Sequence, residues 1–118
     1  MQKHSIKRFE IWQAMLPVVE GSHVQSGTRP VVVVSNDMAN THSPVITVVP
    51  LTSNTRKNRL PTHVLLVASG LSVVSLALCE QILTIDKSRL TRRIGQVREP
   101  LDHAALNRAM IVQLGIAA

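Results

Sequence analysis

Short runs of aliphatic residues separated by polar turns dominate the first three quarters of the chain. Residues 31–34 and 45–51 are strongly apolar and rich in valine, which predicts two buried strands. Residues 18–28 and 53–59 are more polar and carry the glycine, serine and asparagine that are typical of loops. Further strands are predicted at 9–15, 62–67, 75–78, 81–86 and 92–97.

The last part of the chain predicts one helix. Pro100 suits the first helical position, and Gly115 can end the helix. Many short strands followed by one helix favour a mainly β fold, a small twisted barrel covered by the helix, in a single domain of residues 1–118. The predicted apolar face of the helix contains Leu101, Ala104, Ala105, Leu106, Ala109, Met110, Val112 and Leu114.

The composition adds a strong basic charge to this picture. The 118 residues include 13 Lys and Arg against 7 Asp and Glu, which gives a net charge of +6 and a pI of about 10.8. This balance favours a polyanionic partner such as nucleic acid. Only Phe9 and Trp12 are aromatic, so base stacking would contribute little affinity, and polar groups would have to read the bases.

Cysteine, histidine and carboxylate usage limits the possible chemistry. Cys79 is the only cysteine and lies in an apolar stretch, which predicts a buried thiol in a reducing, cytoplasmic setting. The seven carboxylates form no close motif, and the five histidines show no zinc-ligand spacing with Cys79. We therefore expect no metal and no cofactor. No apolar stretch reaches the ~20 residues that span a bilayer, so we expect no membrane association.

Arg29 and Thr52 are the two residues whose positions suggest a phosphate site. Arg29 lies just ahead of the first buried strand, and Thr52 ends the second. A guanidinium is always charged and offers a planar fork of donors, while a hydroxyl can hold a further phosphate oxygen. The pair predicts a minimal phosphate-binding site, provided that the two strands lie side by side.

An ordered set of short motifs runs through almost the whole chain, about residues 7–114. These motifs are Gly27-Thr28-Arg29-Pro30, Ser35-Asn36-Asp37, Val48-Val49-Pro50-Leu51-Thr52, Leu60-Pro61-Thr62-His63-Val64, Glu80-Gln81-Ile82 and Thr84-Ile85-Asp86-Lys87. In this order they resemble the MazF/PemK family of bacterial toxins, small ribonucleases that are made beside a neutralising antitoxin.

The resemblance implies an SH3-like barrel that works as a homodimer and cleaves single-stranded RNA at selected sequences. It implies Arg29 and Thr52 as catalytic residues and an attack by the substrate's own 2′-hydroxyl, which leaves a 2′,3′-cyclic phosphate and a 5′-hydroxyl. In one branch of the family a histidine and an acid also transfer protons, and these positions match His23 and Glu80. The implied partners are RNA and a cognate antitoxin with an acidic or amphipathic tail.

Five further side chains are candidates for RNA contacts. Arg56 and Lys57 form a basic loop after Thr52 that could follow a phosphate backbone. Gln25, Ser53 and Gln81 could read splayed bases through hydrogen bonds. His63, at the start of a predicted strand, is expected to serve packing instead.

The chain departs from the family pattern at three positions. Phe9 replaces the usual glycine in Lys7-Arg8-Phe9-Glu10, and Leu83 replaces a basic residue after Glu80-Gln81-Ile82. In the loop Gly21-Ser22-His23-Val24-Gln25, either one residue is inserted or Val24 replaces the usual glutamate.

Two other functions stay open at this stage. One is a gyrase-binding poison of the CcdB type, against which the absence of tryptophan in residues 114–118 argues. The other is an RNA-binding module that no longer cleaves.

Overall fold

The computed structural model describes residues 5–56, 59–68 and 70–117. Within these ranges the chain forms seven strands and two α-helices. One-turn 3-10 helices occur at Cys79–Gln81 and Lys87–Arg89. The elements are β1 (Glu10–Leu16), β2 (Gly27–Val33), α1 (Asp37–His42), β3 (Val45–Thr52), β4 (His63–Leu66), β5 (Ser75–Leu78), β6 (Leu83–Asp86), β7 (Leu90–Gln96) and α2 (Pro100–Leu114).

The strands form one antiparallel arrangement in the order β4-β5-β3-β2-β1-β7, and β6 pairs with the first half of β3. β3 changes partners along its length, from β6 at its start to β5 at Leu51 and Thr52. The loop after β4 reaches the strand at the other end of this order. Gly70, with φ +92°, lies so close to β7 that an added Cβ would overlap the carbonyl group of Ile94. The mainly β fold with a C-terminal helix is thus confirmed.

Two apolar clusters occupy opposite faces of the central strands. Val32, Val49 and Leu51 belong to one cluster, while Val31 and Val33 belong to the other. Successive side chains of a strand point to opposite faces, so both faces of β2 are buried. This confirms the expectation of a strand that is buried on both sides. No helix in the described ranges is long and apolar enough to cross a membrane.

The C-terminal helix begins and ends where the sequence predicts. Pro100 opens α2, and Gly115 ends it in the left-handed conformation with φ +66°. The predicted apolar face is wrong in part. Leu106, Ala109 and Met110 are buried, but Leu101 is 84% exposed and Leu114 is 54% exposed. The reason is that α2 packs against the sheet through a narrow face, formed by residues 106, 109 and 110, which lie three and four positions apart.

Phe9 occupies a backbone conformation that normally favours glycine. Its φ is +72°, which explains why glycine is usual at this position. The ring stacks on His103 of α2 with centroids 3.9 Å apart, and the Arg8 guanidinium carbon lies 4.4 Å from the Phe9 centroid. Left-handed geometry in a bulky residue costs about 1–3 kcal/mol, which these contacts help to offset.

Candidate active site

Arg29 and Thr52 lie at the same end of neighbouring strands. β2 and β3 are antiparallel, and the register pairs Val31 with Pro50. Arg29 and Thr52 each lie two residues further toward the same end, on the same face by the alternation of side chains along a strand. The expectation that the two strands are adjacent is therefore confirmed. The roles of the two side chains in catalysis stay predictions.

Arg29 keeps most of its hydrogen-bonding capacity. Its backbone is held in β2 opposite Ala14 of β1, which fixes where the side chain begins. The side chain is exposed, and its Nε donates to the carbonyl oxygen of Ser26 at 3.1 Å. Its two terminal nitrogens donate to none of the residues that the structure describes, and no carboxylate among those residues forms a salt bridge with it. The planar donor fork is therefore available to an anion.

Thr52 is buried but has a hydroxyl proton to offer. The residue is only 6% exposed, and its Oγ1 accepts a hydrogen bond from the backbone N–H of Asn54 at 3.1 Å. A hydroxyl can donate once while it accepts. Within the described ranges this hydroxyl donates to no other residue. A phosphoryl oxygen at the strand end would complete its hydrogen bonding.

A cleft of about 330 Å³ lies near this strand end, but neither Arg29 nor Thr52 is among the described residues that line it. Pro50 lines it, and Pro50 is two residues from Thr52 on the same face of β3. The wall is mainly apolar, with polar side chains from the loop after β1 and from the 3-10 turn before β6. The apolar lining residues are Pro17, Val19, Val24, Ile82 and Leu83 besides Pro50, and the polar ones are Gln25, Glu80 and Gln81.

Gln25 and Gln81 meet in this cleft. The backbone N–H of Gln25 donates to Oε1 of Gln81 at 2.7 Å, which ties the loop after β1 to the 3-10 turn. Oε1 of Gln25 is buried and has no hydrogen-bond partner among the described residues. A buried acceptor without a donor is unfavourable, so it suits a donor that a ligand brings. The cleft thus contains two side-chain amides, those of Gln25 and Gln81, beside its apolar wall.

Glu80 is anchored by the residues at the start of β4. The Thr62 hydroxyl donates to its Oε1 at 3.2 Å, and Nε2 of His63 lies 2.9 Å from its Oε2. His63 is packed as predicted, with a side chain that is 4% exposed, but its bond to Glu80 was missed by the sequence reasoning. This bond follows from the pairing of β4 with β5, which sets His63 opposite Leu78, two residues before Glu80. Only a correct prediction of that register could have revealed it.

The other predicted residues are less closely gathered. His23 lies exposed in the loop between β1 and β2, two residues before Gln25, and its side chain bonds to none of the described residues. Ser53 is exposed directly after Thr52. Arg56 is also exposed, and its backbone N–H donates to Oδ1 of Asn54 at 3.3 Å. Lys57 lies outside the described residues.

Cys79 is buried next to Glu80, as predicted for an unpaired thiol. Burial raises its pKa to about 12, and the neighbouring charge of Glu80 acts in the same direction. The thiol is therefore a poor nucleophile at neutral pH. In the described part of the chain, no three His, Cys, Asp or Glu side chains gather in a group that could hold a metal ion.

Comparison with known proteins connects this geometry to a family. The family model of the "PemK-like, MazF-like toxin of type II toxin-antitoxin system" matches residues 7–113. Endoribonuclease EndoA of Bacillus subtilis is 45% identical over 98 residues, which cover 81% of this chain and 84% of that protein. Endoribonuclease MazF of Staphylococcus saprophyticus is 35% identical over 113 residues, which cover 94% and 92%.

A solved structure agrees with these matches. It is an endoribonuclease in complex with its cognate antitoxin from a Mycobacterial species. It shares 25% identity, with a TM-score of 0.72 over 97% of this chain and 99% of that one. The chain belongs to the family of PemK-like, MazF-like toxins of type II toxin–antitoxin systems.

Proposed function

We propose that this protein is the toxin of a toxin–antitoxin pair and acts as an endoribonuclease on single-stranded RNA. The observation that carries the proposal is the placement of Arg29 and Thr52 at one end of the β2–β3 pair, where no described residue accepts from the terminal guanidinium nitrogens or from the hydroxyl. A planar cation beside a hydroxyl suits one phosphodiester. The kinship with proteins named endoribonucleases supports the same function.

The guanidinium of Arg29 would stabilise the charge that builds up on phosphorus. In the transition state the nonbridging oxygens gain negative charge, and donors that are already in place stabilise it without reorganisation. The hydroxyl of Thr52 would donate to one of these oxygens while Asn54 keeps the Thr52 oxygen oriented. Arg29 itself is a poor base, because a guanidinium holds its proton at any ordinary pH.

The reaction moves two protons. The 2′-oxygen of the substrate attacks phosphorus and loses its proton to a base, while the bond from phosphorus to the 5′-oxygen breaks and an acid protonates that oxygen. The products are a 2′,3′-cyclic phosphate and a 5′-hydroxyl. Glu80, which lines the cleft, and His23, which is exposed in the loop between β1 and β2, are the proposed proton carriers.

RNA recognition is assigned to the cleft and the loop after β3. The side-chain amides of Gln25 and Gln81, which line the cleft, are the proposed contacts to a splayed base. Ser53 and Arg56, exposed just beyond Thr52, would contact the backbone, and we extend this role to Lys57 from the sequence. Such contacts make the binding selective for sequence and sensitive to salt.

The proposed partners are an antitoxin and a second copy of the chain. A basic protein would attract an antitoxin with an acidic or amphipathic tail by the electrostatics that also attract RNA. Val112, Leu114 and Ile116 are exposed near the end of α2, where a protein partner could cover them. A cytoplasmic location follows from this function, because its RNA substrate and antitoxin are made there.

The two alternatives have less support. A gyrase poison would not need a phosphate-binding pair at the β2–β3 end, and the curated relatives reported above are named endoribonucleases. A cleavage-silent RNA-binding module would use the same donors of Arg29 and Thr52 for phosphate contacts, but it would not account for the kinship with proteins named endoribonucleases. The RNA-cleaving toxin is the function that accounts for both observations.

The direct test is cleavage of a long, unstructured RNA by the purified protein with and without EDTA. We expect discrete fragments in both conditions, with 5′-hydroxyl ends and 2′,3′-cyclic phosphate ends. Sequencing the 5′ ends would give the recognition sequence. Fragments only without EDTA would refute the metal-independent mechanism, and intact RNA beside trapped gyrase–DNA complexes would favour the gyrase alternative.

A further inference from the structure

The ring of His63 is fixed at both of its nitrogens. Nδ1 lies 3.2 Å from the backbone nitrogen of Leu60, whose N–H can only donate. Nδ1 is therefore an acceptor, and the ring proton belongs to Nε2, which lies 2.9 Å from Oε2 of Glu80. A neutral His63 thus donates to Glu80 through a fixed tautomer.

The backbone holds this arrangement in place. β4 and β5 are paired so that His63 lies opposite Leu78, and the N–H of Cys79 donates to the carbonyl oxygen of Thr62 at 3.0 Å. These contacts set Glu80 next to the start of β4. Because the His63 side chain is 4% exposed, its ring has no open space into which it could turn.

The arrangement leaves Glu80 with a fixed direction. Both carboxylate oxygens accept from the protein, one from Thr62 and one from His63. The side chain nevertheless stays 24% exposed and lines the cleft, so its remaining lone pairs are open to a ligand. Two donors on one carboxylate restrict its rotation, which is the way that active sites hold a reactive group near its working geometry.

We propose that His63 is a positioning residue for RNA cleavage: it orients the Glu80 carboxylate toward the RNA in the cleft. The proposal rests on the proposed function and adds a residue that does not itself touch the substrate. Glu80 is the group that exchanges a proton with the RNA, as the base for the 2′-hydroxyl or as the acid for the 5′-oxygen. His63 acts only by orienting Glu80. Thr62 completes the clamp but provides a weaker, longer bond.

Two substitutions separate positioning from packing. In His63→Gln, the side-chain nitrogen can still donate to Glu80. In His63→Asn, the side-chain oxygen can still accept from Leu60, but the shorter chain does not reach Glu80. With a short fluorogenic RNA that carries one mapped cleavage site, we expect His63→Asn to lower kcat about 10- to 100-fold with little change in KM, and His63→Gln to restore most of the loss. Thermal unfolding of both variants controls for stability.

A double-mutant cycle tests whether His63 acts through Glu80. In the Glu80→Gln background, His63→Asn should cause no further loss of kcat. Nitrogen-15 NMR of the wild-type imidazole should show the proton on Nε2, independently of activity. Additive losses, a fully active His63→Asn protein, or a proton on Nδ1 would each overturn the proposal. A wild-type protein that cleaves no RNA would refute the proposed function instead, while the NMR result would still decide the tautomer.

Discussion

Arg29 and Arg8 are two arginines in the same small barrel with opposite surroundings. Arg29 is exposed and has one hydrogen bond, to the carbonyl oxygen of Ser26. Arg8 is half-buried: its Nε donates to the carbonyl oxygen of Val34 and its Nη2 donates to Oδ1 of Asn107, each at 2.8 Å. Burial lowers the pKa of Arg8, and the nearby charge of Asp37 acts against that shift.

The contrast shows how to distinguish an arginine that holds the fold together from one that is available to bind an anion. Arg8 links the residue after β2 to α2 and uses two of its donors, on two different nitrogens, for neutral oxygens of the protein. Arg29 lies opposite Ala14 in the β1–β2 pair, and its two terminal nitrogens donate to none of the described residues, as the proposed phosphate contact requires. Sequence alone treats both as basic residues of a basic protein. The hydrogen-bond partners distinguish them.

Replacing Arg29 should have the largest effect. We expect Arg29→Ala to lower kcat for RNA cleavage by about 100- to 1000-fold, the usual loss when one donor to the developing charge is removed. Arg29→Lys should recover only part of the rate, because an ammonium lacks the planar fork. Thermal unfolding should change little in either variant, since the side chain is exposed. Full activity in Arg29→Ala would remove Arg29 from the mechanism.

Replacing Arg8 should act on stability instead. Arg8→Met keeps the apolar stem but leaves the carbonyl of Val34 and the amide of Asn107 without their donor, which should cost about 1–3 kcal/mol in the free energy of unfolding. The measurement is urea denaturation, with kcat determined on the folded fraction. Arg92→Met, at an exposed position of β7, is the matched control. A large loss of kcat with normal stability would contradict the structural role.

The smallest expected effect concerns Cys79, which is buried next to Glu80. Its raised pKa means that the unfolded chain loses the thiol proton above about pH 9, while the folded chain keeps it to about pH 12. Stability should therefore fall as the pH rises through this window, by about 1 kcal/mol from pH 9 to pH 10. Urea denaturation of wild type and Cys79→Ala measures it, and equal pH slopes in the two proteins would contradict the prediction.

Much of the fold could be predicted because it depends on local patterns. The valine run of β2 and the Pro100 and Gly115 boundaries of α2 follow from propensity and capping. The neighbourhood of Arg29 and Thr52 also followed, once the two buried strands were taken as adjacent. The bond between His63 and Glu80 did not, because it depends on the register of two short strands, which no turn signal fixes.

The sequence also did not predict which apolar residues of α2 would be exposed, because this too depends on tertiary packing. An apolar pattern tells which residues prefer burial, but the area of the facing surface decides how many are covered. Here Leu106 and Met110 contact the barrel while Leu101 does not. The 3-10 turn at Cys79–Gln81 connects β5 and β6, which pair with different halves of β3. It occupies the first residue of the strand predicted at 81–86, so that the strand begins at Leu83.

The unusual backbone of Phe9 has a mechanical consequence. The left-handed turn persists while the aromatic ring rests on His103, whose Nε2 also donates to the carbonyl oxygen of Val97 at 2.6 Å. Two backbone hydrogen bonds, from Phe9 to Val33 at 2.7 Å and from Val97 to Phe9 at 2.8 Å, also hold this turn. Lifting the helix away would remove the stacking that helps to offset the strain at Phe9, so we expect detachment of the helix to weaken the start of the first strand as well. A glycine at position 9 would have no side chain to contact α2, whereas the phenylalanine ring couples the helix to the segment before the first strand.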